Sequence, residues 1–376
     1  MNEKEISEIR RRFRPEKNNI SFVRGCCVNE KREIVSEFEQ SLLTSSQEET
    51  ENILTTLKRT LSGTLGKNLM DIEFATQQVV DSEEHHLLMA LRDSGLKDED
   101  AVRAFYQKAI QSIDLEGNYL ILLTYDVYDV PYRSKDGEKL EDADSDVFSY
   151  VLCSICPIKM TKPSLSYYMS ENQFHNCGID YLVAAPELGF LFPAFDDRST
   201  NIYNALYYSR NAAEIHTGFI DEVFRCEPPM PAPQQKETFQ SLLEEALEEE
   251  CSYDIVEAIH EQVSDMILEH KVNKEEEPLA VSGRAMKGML ASCGVAESRL
   301  ETFAEKYDDT FGKDAVISPQ NMIDYKKFEV KTSDVTVQVN PERLDLVETK
   351  VIEGTKYIII RAEGDVSVNG VNIHID

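Results

Sequence analysis

Apolar and polar positions recur along this chain with two different periods, and the switches between them outline its elements. Residues 3–12 interleave charged positions with Ile6 and Ile9, which predicts a short helix ended by Pro15. Two β-rich runs, 20–28 and 32–35, flank the polar Asn29-Glu30-Lys31 and predict a hairpin. Ser46 with Glu49 fits a capping box, and the helix it opens puts Ile53, Leu54, Leu57 and Leu61 on one face. Amphipathic helices over 82–91 and 98–113 follow, separated at Gly95.

The helical period then disappears. Stretches 118–125, 147–157, 181–185 and 189–192 are nearly continuous apolar runs, as expected of central strands buried on both faces. A polar, acidic loop over 133–146 joins the first two. Residues 201–208 and 213–224 are expected to be helical. Four prolines within 228–233 predict a linker over 227–235. Beyond it, helices are expected at 236–250, 252–271, 282–292 and 297–307. From Phe328 the period is two again, with Val335, Val337 and Val339 alternating with polar residues. Gly354, Gly364 and Asn369-Gly370 supply turns for an antiparallel meander. The pattern as a whole is α+β. It comprises a mixed domain over 1–226, the linker 227–235, an acidic helical segment over 236–326 and a C-terminal β-unit over 327–376.

Charge narrows the function classes. The 376 residues hold 39 Lys and Arg against 69 Asp and Glu, a net charge of −30. Such a surface repels phosphate polymers and anionic membranes at long range, which argues against coating DNA by bulk charge. The charge is uneven, however. Residues 1–36 carry nine basic and six acidic side chains, or +3, whereas 236–277 carry three and fourteen, or −11. With no apolar leader at Met1 and no run near the ~20 apolar residues of a membrane span, a cytoplasmic protein is expected. Its eight cysteines then read as reduced thiols.

Several groups invite a chemical reading. Gly63 to Lys67 suggests a phosphate loop, but the glycine spacing is too short, Asn68 replaces the required hydroxyl, and a helix precedes it. Cys153, Cys156, His175 and Cys177 have the ligand types of a zinc site. Cys153 and Cys156 lie three apart in an apolar strand, which points them to opposite faces unless Pro157 adds a turn. Asp126 and Asp129 end one strong run, and Asp196, Asp197 and Arg198 end another. Carboxylates at strand ends suit Mg²⁺ or acid–base work, and equally suit turns and helix caps, with Asp197 or Ser199 capping a helix at 201. His85 and His86 are adjacent on a helix and face apart. No cofactor is predicted, while Mg²⁺ and Zn²⁺ stay open. No G-x-S-x-G, H-E-x-x-H or G-x-G-x-x-G occurs.

The one dense basic cluster is Arg10, Arg11, Arg12 and Arg14, with Phe13 and Phe22 nearby. It would either grip phosphates or satisfy the protein's own carboxylates. Residues 282–307 outline a helix-turn-helix, a pattern shared by ordinary helical hairpins.

Three stretches carry a resemblance: residues 60–69 (TLSGTLGKNL), 125–131 (YDVYDVP) and 189–200 (GFLFPAFDDRST), together with VNGVNIH ending at His374. In these the chain resembles an uncharacterised bacterial family, mostly of Gram-positive gut organisms, classed as a domain of unknown function. The order of elements also resembles that of YejK-type nucleoid-associated proteins, with strands such as 119–125 and 150–156 after helices, then a helical stretch and a terminal hairpin. That resemblance implies nucleoid association. The expected function is therefore a non-enzymatic binding protein with a protein or nucleoprotein partner, and homo-oligomers are open. The alternatives are a metal-dependent hydrolase or nuclease using Asp126, Asp129, Asp196 and Asp197, and a scaffold built on the 236–271 helices.

Overall fold

The computed structural model describes residues 1–131, 146–273, 275 and 277–374. The acidic loop expected over 133–146 lies almost wholly outside these residues. The chain divides into two compact units, residues 1–232 and 233–376.

The first unit begins with α1 (Glu3–Arg10), β1 (Phe22–Val28), β2 (Ile34–Ser41), α2 (Gln47–Lys58) and β3 (Leu69–Glu73). Helices α3 (Thr76–Asp81), α4 (Glu83–Asp93) and α5 (Glu99–Ser112) precede the long strands β4 (Tyr119–Val130) and β5 (Asp146–Met160). Short strands β6 (Ser164–Tyr168), β7 (Gln173–Cys177) and β8 (Tyr181–Val183) follow, then β9 (Leu188–Phe192), β10 (Ala194–Asp196), β11 (Ser199–Asn201), β12 (Asn204–Ser209) and α6 (Thr217–Phe224).

Seven strands form an antiparallel sheet in the order β2-β1-β4-β5-β9-β12-β3, and β8 pairs with the end of β5. Strand alternation assigns each side chain to one of two cores. On one face Val151, Cys153 and Ile155 pack with Phe105, Phe219 and Phe224 of α5 and α6. On the other, Tyr150, Leu152 and Cys156 pack with Ile6 and Ile9 of α1 and Leu54 and Leu57 of α2. The sheet is thus covered on both sides, which accounts for the continuous apolar runs of β4, β5 and β9. The run at 181–185, expected to be a buried central strand, instead gives the exposed β8, paired only with the end of β5 beyond the covered sheet. Its edge strands carry Glu37 and Glu39 at one side and Asp71 and Glu73 at the other, charges that discourage further pairing.

Residues 201–208 are not helical. Ala205 to Tyr208 are buried on both faces, paired with β3 on one side and β9 on the other. Tertiary pairing and tyrosine-rich β propensity override a weak helical pattern. Ser199 and Asp197 consequently cap no helix. Asp197 and Arg198 form the two-residue turn of the β10–β11 hairpin, both with positive φ, 47° and 58°.

In the second unit, helices α7 (Ala232–Leu247), α8 (Tyr253–Asn273), α9 (Gly283–Ser292) and α10 (Glu297–Phe311) enclose a core of residues such as Phe239, Val263, Met286 and Phe303. Helix α7 starts inside the proline-rich stretch, because Pro233 in its first turn has no hydrogen bond to lose there. The minimal pair β13 (Val281–Ser282) and β14 (Val316–Ile317) brackets the α9–α10 hairpin. The C-terminal β-region is three separate two-stranded hairpins rather than one meander: β15 (Phe328–Lys331) with β16 (Thr336–Val339), β17 (Val347–Ile352) with β18 (Thr355–Ile360), and β19 (Val366–Val368) with β20 (Val371–Ile373). Among the described residues only Phe328, Val339, Leu344 and Val347 are buried there, too few side chains to force the hairpins into one sheet. Among the described residues no helix is long and apolar enough to cross a membrane.

Gly189 marks the tightest point of the main sheet. A Cβ there would collide with the Cys153 carbonyl oxygen and stand 2.6 Å from the Thr60 methyl. Thr60 is itself fixed by a buried 2.6 Å hydrogen bond to Ser154. Gly189→Ala is expected to cost about 1–3 kcal/mol, as overpacking does, and urea unfolding followed by circular dichroism checks it. A cost near zero would mean that strand β9 can move away from β5.

Candidate functional site

Of the candidate residues, Arg12 of the N-terminal cluster meets Asp126 of β4, and the others do not join them. Helix α1 opens with a reciprocal capping box. Asn2 accepts from the Glu5 amide at 3.0 Å, and the Asn2 amide donates to Glu5 Oε2 at 2.7 Å. Ile6 and Ile9 bury the inner face, and the chain leaves the helix so that Arg12 points at β4.

Asp126 occupies an inward position of β4, with its side chain fully buried. Arg12 reaches it through Nε and Nη2, each at 3.2 Å from one carboxylate oxygen. The Tyr150 hydroxyl donates to the same carboxylate at 2.9 Å, and the Asn19 amide donates at 2.9 Å. The Arg12 guanidinium also lies 4.9 Å from the centre of the Tyr128 ring. Burial, and then the Asp126 charge, push the Tyr150 phenol well above its usual pKa, so it remains a donor. Every oxygen lone pair facing inward is thus engaged by a donor of the protein itself.

Arg198 is held in a similar way. Its guanidinium pairs with Glu8 and donates to the Pro131 carbonyl at 2.9 Å, and its amide donates to Glu5 at 3.3 Å. Glu8 also accepts from the Tyr128 hydroxyl at 2.6 Å. Asp196 accepts from Asn201 at 3.1 Å and lies 3.8 Å from the Met1 amino nitrogen, which is 3.4 Å from Asp71. Asp129 is exposed on the opposite face of β4 from Asp126, and Asp197 is exposed in its turn.

These positions do not form a metal cleft. Among the described residues no group of three or more His, Cys, Asp or Glu is arranged to hold an ion. The strand alternation sends Cys153 into one core and Cys156 into the other. His175 and Cys177 lie on the β6–β7 hairpin, where His175 bonds Glu171 at 2.9 Å and Cys177 bonds Ser166 at 2.8 Å. The four proposed zinc ligands therefore do not gather, and Pro157 continues β5 instead of turning it. His85 is buried and bonds the Ile202 carbonyl at 2.8 Å, a packing role.

The basic cluster divides. Arg12 is consumed by Asp126, whereas Arg11 and Arg14 are exposed and Arg10 is half-buried at the end of α1. Among the described residues these three have no ion pair, in a chain with an excess of carboxylates. Tyr150, Asn19, Glu5 and Glu8 escaped the sequence reading. The parity of β4 is the signal that could have found them: Leu122, Thr124 and Asp126 share the inward face, and a buried carboxylate requires donors.

Two outcomes test this account. Arg12→Ala leaves Asp126 buried and unpaired, so a loss of about 3–5 kcal/mol is expected in urea unfolding. Adding Asp126→Asn should restore part of it, and failure of that rescue would show that the two residues are not coupled. Glu5 is the second. Burial raises its pKa above 4.5 despite two backbone hydrogen bonds. The folded carboxyl therefore keeps its proton to higher pH than the unfolded one, and its contribution is full at low pH and lost as pH rises through the folded pKa. Glu5→Gln sacrifices one acceptor at every pH but removes this slope. Relative to the native chain it should gain stability as pH rises from below the unfolded carboxyl's range through the folded pKa, as read by thermal melts.

Nothing among the curated proteins matches the chain. A family model covers residues 1–371, nearly the whole length. The protein belongs to the family described as domain of unknown function DUF4317.

Proposed function

We propose that this is a non-enzymatic binding protein of the cytoplasm that engages a nucleoprotein partner through the basic end of α1. The observation that carries this reading is the division of the arginine cluster. One arginine is spent on the fold, while Arg11 and Arg14 are exposed and Arg10 is half-buried, all three with no ion pair among the described residues. In a chain of net charge −30, long-range attraction would otherwise draw such side chains onto neighbouring carboxylates. Exposed Arg guanidinium groups suit phosphate oxygens, which accept their paired N–H donors.

The bulk charge shapes what such a site can do. It opposes extended wrapping of a polyanion and leaves a contact of a few phosphates, the scale of docking onto a nucleoprotein. The use of Asp126 and Arg198 as internal anchors supports the same reading, because it takes the strongest catalytic candidates out of reach of a substrate.

Fluorescence anisotropy of labelled duplex DNA and single-stranded RNA tests it, at low and physiological salt. Binding should weaken with salt with a slope of about −2 to −3, corresponding to about three phosphate contacts at roughly 0.7–0.9 each. The variant Arg10→Glu/Arg11→Glu/Arg14→Glu should lose most of it. Absence of binding at low salt, or an unchanged affinity in the variant, would overturn the reading. Loss of the intact probe only with Mg²⁺ would replace it with a nuclease.

A further inference from the structure

Strand β5 runs past the main sheet, and beyond it the chain forms an arm over residues 161–180. Its neck is closed by two hydrogen bonds between Thr161 and Asp180, at 2.9 and 2.8 Å. Beyond the neck, β6 and β7 pair only with each other. Their register places Leu165, Tyr167 and Phe174 on one face, with the two rings 5.2 Å apart. These side chains are 64%, 50% and 68% exposed. At the tip Met169 is 85% exposed, and at the base Tyr181, Leu182 and Val183 of β8 are each about half exposed or more.

From Met160 to Val183 ten large apolar side chains face solvent. At about half of the ~200 Å² of a large side chain each, they offer on the order of 1,000 Å². A standard interface buries ~800 Å² per partner, and scattered single exposed residues would not reach that. An isolated two-stranded hairpin is at best marginally stable in water, so both its face and its edges call for a cover.

We propose that the arm is a self-association surface, and that its occupant is the same arm of a second copy of this chain. Charge selects that occupant. Residues 158–183 hold two lysines (Lys159, Lys162) and two acidic residues (Glu171, Asp180), a net charge of zero in a chain of −30. The arm therefore exerts no pull on a basic partner. It is, however, a place where two equally acidic chains can touch without placing like charges face to face. A two-fold interface must be self-complementary, a condition that an apolar face and an unpaired strand edge both meet and a one-sign charge patch does not. Without net positive charge the arm offers no grip on a phosphate backbone, which disfavours a single-stranded nucleic acid here.

The salt response separates this surface from the arginines of α1. Salt screens the mutual repulsion of two acidic chains, so self-association should strengthen with salt, whereas phosphate contacts weaken. Sedimentation velocity on the full chain, across micromolar concentrations and at two salt levels, is the experiment. A particle of twice 42.8 kDa is expected, favoured by salt. Leu165→Glu/Phe174→Glu should weaken it at least about tenfold with an unchanged circular dichroism spectrum and melting temperature. Leu165→Ser/Phe174→Ser, which adds no charge, should act in the same direction. Arg10→Glu/Arg11→Glu/Arg14→Glu should leave it intact. A native chain that is monomeric throughout overturns the proposal, as does a dimer indifferent to both arm variants. Oligonucleotide binding by a monomer that both arm variants abolish would assign the arm to nucleic acid instead.

Discussion

The buried pair of Arg12 and Asp126 is the constraint on which the arrangement of the first unit depends. A carboxylate with no solvent exposure, on β4 just beyond its pairing with β1, is tolerable only if its charge is met by a cation and its oxygens by donors. Arg12, Tyr150 and the Asn19 amide together supply these. Two of the three come from the segment that leads from α1 into β1. The pair therefore fixes where that segment crosses the sheet, and with it which face of α1 lies against the core. Glu8 with Arg198 and Tyr128 repeats the linkage one helical turn away. Replacing the pair with apolar residues would suit the core as well or better in energy, but would supply no comparable directional bond to specify the crossing.

The same constraint explains why two chemical readings of the sequence lead to one structural answer. Arginines near the start and aspartates at strand ends each look like halves of a site when considered alone. In space Arg12 neutralises Asp126, and Arg198 neutralises Glu8. What remains after this mutual cancellation is Arg10, Arg11 and Arg14 at the end of α1, and Asp129 and Asp197, exposed at β4 and in the β10–β11 turn.

The sequence was most legible where the pattern is local. The capping box predicted for α2 forms as Ser46 with Glu49. The hairpin turns at Glu353-Gly354 and Asn369-Gly370 adopt the positive φ angles that glycine permits. Legibility failed where partners come from far along the chain. Ala205 to Tyr208 form a strand because β3 and β9 flank them, and β3 itself, only five residues long, gave no periodic signal. Asp126 could be placed inward by parity, but its partner lies 114 residues away, beyond the reach of any spacing rule. Similarly, the terminal valines specify their hairpins but not how one hairpin meets the next.

Charge ties these surfaces together. A net charge of −30 opposes contact with other copies of this chain and with extended polyanions, so contacts of those two kinds are favoured where the acidic field is locally cancelled. The first unit provides two such places by different means. At the end of α1 the cancellation is by excess cations that the fold leaves unspent. On the β6–β8 arm it is by near absence of charge, with apolar area taking its place. The first kind of surface attracts a charged partner and weakens as ions screen it, while the second attracts nothing at long range and gains when the surrounding repulsion is screened. If both proposals hold, an acidic chain bearing both would bind an anionic assembly through one and its own copy through the other, without either contact competing for the same residues.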